Sequence, residues 1–135
     1  PTHQPPPVDR EAFIERMEQR LQALSGPRYP PDHRERIYLG RMWERGFYPD
    51  GIQRQRAAGW TFPDLRPYLP ALTLPVLVIH GDADPTIPLV YGRETASLFP
   101  QADLLVIEGL GHQRLPPAVW PTVVQALDRL ARRGG

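Results

Sequence analysis

Two continuous aliphatic runs, each leading into a polar turn, constrain what this chain can fold into. The first is Pro75-Val76-Leu77-Val78-Ile79-His80-Gly81-Asp82-Ala83-Asp84-Pro85, and the second is Leu104-Leu105-Val106-Ile107-Glu108-Gly109-Leu110-Gly111-His112. Val76 to Ile79 and Leu104 to Ile107 do not alternate between apolar and polar residues, which suits strands covered on both faces, as in a parallel sheet. Pro88 to Phe99, between them, is long enough for a crossover helix, so the stretch is expected to be a right-handed βαβ unit. The fold class is therefore α/β.

The spacing after the two runs matches. Asp84 lies four residues past His80, and His112 four residues past Glu108. Neighbouring parallel strands, about 4.8 Å apart, would bring both turns to one edge of the sheet. Asp84 and His112 are thus expected to meet, with a carboxylate oxygen about 2.6–3.2 Å from a ring nitrogen. The carboxyl end of a parallel sheet is where open α/β folds place their sites, and a carboxylate there can fix an imidazole tautomer and stabilise the imidazolium.

These turns resemble the acid and base turns of the α/β-hydrolase family. HGDADPTIP is similar to the family's G-x-x-D-x-x-x-P turn, with Gly81, Asp84 and Pro88 at its landmarks. EGLGH is similar to its G-x-G-H turn, with His112 in the base position. Leu115 to Pro121, and the stretch from Arg45 to Gln55, resemble esterases of the aclacinomycin methylesterase type. The resemblance implies a partial α/β-hydrolase fold, a helical lid followed by a β-α-β-α unit of parallel strands. Residues 1–70 would form the lid with an N-terminal tether, and 71–135 the C-terminal part of the core. It also implies a serine hydrolase acting on a small-molecule carboxylic ester, with Asp84 as triad acid, His112 as base, and no cofactor or metal. A dehalogenase, acyltransferase or C–C hydrolase on the same fold, or a non-catalytic interaction module, are the alternatives.

The family's nucleophile sits in G-x-S-x-G, and neither Ser25 nor Ser97 has that setting; cysteine is absent. The nucleophile and oxyanion-hole loop are therefore expected upstream of Pro1, and the 135 residues alone are expected to be inactive. Two strands make a marginal sheet with open edges. The expected partner is accordingly the N-terminal half of the same enzyme or a second copy of the chain.

Charge and composition exclude other classes. Sixteen basic residues, all arginine, face fifteen acidic ones, with no basic surplus for nucleic acid. No apolar run approaches the ~20 residues of a membrane span, and no signal peptide is visible, so the expected location is cytoplasmic. The four histidines, at 3, 33, 80 and 112, show no metal-ligand spacing.

Along the chain, Pro1 to Val8 reads as an extended tether. Asp9 caps a helix carrying Phe13, Ile14, Met17, Leu21 and Leu24, ended by Ser25-Gly26-Pro27. A second helix starts near Asp32 with apolar positions Ile37, Tyr38, Met42 and Trp43, and a third runs from about Asp50 to Ala58. Tyr38, Trp43, Tyr48 and Trp60 are expected to form mainly the core of these helices. The final helix, about Pro116 to Arg132, shows Val119, Trp120, Val123, Val124, Leu127 and Leu130 at 3.6-residue spacing. His80 and Asp82 are expected to hold the first turn together, and Glu108 either to pair with an arginine or to stay solvated.

Overall fold

A computed structural model describes Pro7 and residues 9–133; the Pro1–Pro6 part of the tether and Val8 lie outside the described residues. Two compact units emerge. One takes the chain up to Ala23 and again Pro31–Pro63; the other takes Leu24–Pro30 and everything from Asp64 onward.

The first unit is helical: α1 (Arg10–Leu24, all but its last residue), α2 (His33–Glu44) and α3 (Pro49–Trp60). Asp9 begins α1, its Oδ1 accepting the Ala12 N–H at 2.9 Å. Asp32 does the same for α2, accepting from the Arg34 N–H at 2.8 Å, and Pro49 starts α3, where its missing N–H costs nothing. The core is Phe13, Ile14 and Leu39, enclosed by Met17, Leu21, Trp43 and Phe47. Phe13, Trp43 and Phe47 pack ring to ring at centroid distances of 4.8–5.6 Å. Arg36 pairs with Glu11 and Glu18, linking α2 to α1, and Gly40 leaves room for the Arg10 guanidinium, which a β-carbon there would meet.

The buried face of α2 differs from the expected one. Leu39 is 1% exposed, whereas Ile37 is 55% exposed and Tyr38 and Met42 are also open to solvent. Apolar residues occupy three consecutive positions, 37 to 39, so periodicity did not choose among them; contact with α1 selects the 36-39-40-43 stripe. Of the four aromatics expected inside, only Trp43 packs in the core; Tyr38, Tyr48 and Trp60 lie outside it.

The second unit holds a 3-10 helix (Arg66–Ala71), β1 (Val76–Gly81), α4 (Leu89–Ser97), β2 (Ala102–Ile107), a short 3-10 turn (Pro117–Val119) and α5 (Trp120–Arg133). β1 and β2 pair in parallel, with Val76 opposite Ala102 and Gly81 opposite Ile107. Side-chain alternation sends Ile79, Leu105 and Ile107 to one face. There they meet Val119, Val123, Leu110, Leu115 and Tyr29. His80 points the other way, against Gly92 of α4, where a β-carbon would lie 2.6 Å from its Nδ1.

Full cover of both strand faces does not occur, since most strand residues are only half-buried. The inward positions are Val119 at the end of the 3-10 turn and Val123 and Ala126 on α5. Trp120, Val124 and Leu127 of the expected stripe stand in solvent. A stripe that wide belongs to a helix with more than one apolar neighbour, and the described residues of this unit provide one side only.

Candidate active site

The two turns at the carboxyl ends of β1 and β2 continue the pairing of the strands. The Asp82 N–H donates to the Ile107 carbonyl at 3.2 Å and the Ala83 N–H to the Leu110 carbonyl at 3.1 Å. Gly81 permits this approach: a β-carbon there would sit 2.1 Å from the Leu110 oxygen. Asp82 Oδ1 accepts the Gly109 N–H at 2.6 Å, and Gly109 takes φ +70, the left-handed conformation that glycine adopts at no steric cost. Asp82 therefore ties one turn to the other, and of the two carboxylates in this turn it is Asp84 that meets His112.

Asp84 divides its two oxygens between two jobs. Oδ1 accepts the N–H groups of Thr86 and Ile87 at 2.7 and 2.8 Å, an Asx turn that fixes the carboxylate. Oδ2 lies 2.8 Å from His112 Nδ1. Burial pulls the Asp84 carboxyl upward, but the hydrogen bonds from Ile87, His112 and Thr86 together outweigh it and hold its pKa below the usual value. An ionised carboxylate only accepts, so His112 Nδ1 carries a proton and donates it to Asp84. The side chain of Asp84 is 8% exposed and that of His112 42%: the carboxylate is covered and the imidazole is open to solvent.

His80 serves the acid turn. Its Nε2 lies 2.8 Å from the Ile87 carbonyl, an acceptor, so Nε2 carries the proton and donates. Glu108 pairs with Arg28 at 3.2 Å on the surface.

Residues 24–30 are a component that periodicity did not reveal, because they read as the end of a helix followed by prolines. They lie under the turn that carries His112. The His112 N–H donates to the Leu24 carbonyl at 2.8 Å, and the Arg28 N–H to the Gly109 carbonyl at 3.4 Å. Side-chain-free positions face each other across this contact: a β-carbon on Gly26 would lie 2.0 Å from the Gly109 oxygen, and one on Gly111 2.2 Å from the Leu24 oxygen. The glycines of the G-x-G-H turn thus make room for a second backbone. Of the two serines, Ser97 donates its hydroxyl to the Glu94 carbonyl within α4, and Ser25 lies in the 24–30 segment.

Comparison with known proteins points the same way. Residues 50–134 match the abhydrolase family model described as TAP-like protein. Over 63 residues the chain is 38% identical to non-heme chloroperoxidase CPO-A1 of Kitasatospora aureofaciens, a match covering 46% of this chain and 22% of that protein. A crystal structure of a membrane phospholipase A, described as a novel bacterial virulence factor, superposes with a TM-score of 0.64 at 20% identity. That alignment covers 93% of this chain and 39% of the other, and what it shows is a shared fold. The chain spans well under half the length of either protein.

Proposed function

From the chain's membership of the TAP-like family of α/β-hydrolases, we propose that it supplies the acid, Asp84, and the base, His112, of a serine hydrolase acting on carboxylic esters. The serine comes from a segment outside these 135 residues. In this reading residues 1–70 are the lid region, the remainder is the C-terminal part of the core, and the partner is the segment that carries the nucleophile. The observation that carries the proposal is the 2.8 Å contact between Asp84 Oδ2 and His112 Nδ1 at matched strand ends.

The chemistry follows from that geometry. With its Nδ1 proton held by Asp84, His112 presents Nε2 as general base. It removes the proton of the attacking serine hydroxyl and returns it to the departing alcohol. Asp84 stays ionised throughout and stabilises the imidazolium formed in between; its depressed pKa supports that role. A second proton transfer, from water, releases the acyl group. The phospholipase likeness, resting on fold alone, favours no particular ester.

The test is hydrolysis of p-nitrophenyl acetate by the purified chain, alone and joined to a segment bearing G-x-S-x-G. The chain alone should give no turnover above buffer. The joined protein should hydrolyse the ester, and His112→Ala should lower kcat by about 10²–10⁴-fold or more. Turnover by the chain alone that disappears in His112→Ala, or a joined enzyme indifferent to that substitution, would overturn the proposal.

A further inference from the structure

Gln113, the residue after the base, is bound at both ends of its amide. Its Oε1 accepts the Gly26 N–H at 2.8 Å and its Nε2 donates to the Tyr29 carbonyl at 2.8 Å. Gly26 and Tyr29 are the first and last residues of one turn, closed by the Tyr29 N–H donating to the Gly26 carbonyl at 3.2 Å, with Pro27 at the position that favours such turns. The Gln113 side chain therefore stands in for a peptide group. It satisfies the outward N–H and C=O of the turn, much as a neighbouring strand would.

The same turn holds the base. Leu24, two residues before Gly26, accepts the His112 N–H, and Tyr29 packs against the core that contains Leu110 and Ile107. The chain from 109 to 113 is thus gripped by residues 24–29 at Gly109, His112 and Gln113. Among these, only the Gln113 contact uses a side chain, so it is the one that sequence can alter without touching the backbone. Gln113 pairs the backbone of buried Gly26 and half-buried Tyr29, and its loss leaves both groups unpaired, a situation that favours movement of the segment.

We infer that Gln113 is a positioning residue for His112: by clamping the 26–29 turn it keeps the Leu24 carbonyl under the base and the imidazole Nδ1 on Asp84. The role rests on the catalytic reading of Asp84 and His112 for its purpose, but the geometry it asserts can be measured without turnover. Both ends of the Gln113 amide are committed to the 26–29 turn, so it acts on His112 through the backbone of its neighbour.

The experiment is proton NMR of the 135-residue chain, following exchange with water of the His112 Nδ1 proton, together with protection of the β1 and β2 amide protons. The wild-type proton should be visible and slowly exchanging, and Asp84→Asn should remove it. Gln113→Ala should speed its exchange about tenfold or more while strand amide protection is kept. Gln113→Glu, which retains an acceptor for Gly26 but loses the donor to Tyr29 when ionised, should fall between the two. An Nδ1 proton unchanged in both variants would overturn the inference. So would loss of strand protection in both, since Gln113 would then be a residue of the fold at large. Failure of the ester assay with this NMR result intact would count against the esterase reading and leave the positioning role standing.

Discussion

Asp84 has each carboxylate oxygen committed, one to two backbone amides and one to an imidazole. The consequence can be read in acid. Because its pKa is depressed in the fold, the folded state binds fewer protons than the unfolded one near the ordinary carboxylate value of about 3.9. The stabilisation is therefore complete above that value and is lost as pH falls through the depressed one. Asp84→Asn should lower stability at pH 7 by about 1–3 kcal/mol, the scale for breaking hydrogen bonds to a charged group. The difference should shrink towards zero below the depressed pKa. Urea unfolding midpoints of the two proteins from pH 7 down to pH 2 check this; a gap that stays constant across the range would contradict it.

At the scale of elements, burial rather than hydrophobicity decides which side chains matter. Leu39→Ala should cost about 2–5 kcal/mol, the range for large-to-small changes in a packed core, because Leu39 is closed off by Phe13, Ile14 and their neighbours. Ile37→Ala, on the open side of the same helix, should stay within about 0.5 kcal/mol. Thermal unfolding of the two variants separates the cases; equal losses would mean that α2 buries a different face. The sequence exposed the βαβ unit, its strand ends and the pairing of Asp84 with His112, because continuous aliphatic runs and matched offsets are local signals. It did not reveal the orientation of α2, where three adjacent apolar residues carry no periodic preference. Nor did it reveal the 24–30 segment, whose contacts with Gly109, His112 and Gln113 join residues more than eighty positions apart. Glycines on both sides of that contact were visible, but nothing local says which glycine faces which.

For the whole molecule, the described residues contain one two-stranded sheet, and α5 leaves Trp120, Val124 and Leu127 in solvent. No helix among the described residues is long and apolar enough to cross a membrane. Unpaired strand edges beside exposed aliphatic and aromatic side chains favour association with further polypeptide, as the proposed supply of the nucleophile from outside these residues requires. On the proposed reading, this chain carries an oriented acid and base and no nucleophile of its own. The most direct measurement is intact mass after treatment with a fluorophosphonate, which adds to an activated serine. The 135-residue chain by itself should keep its mass of 15.4 kDa. Joined to a segment bearing G-x-S-x-G, the protein should gain one adduct on that segment's serine, and His112→Ala should suppress it. An adduct on Ser25 or Ser97 of the isolated chain, dependent on His112, would contradict the account.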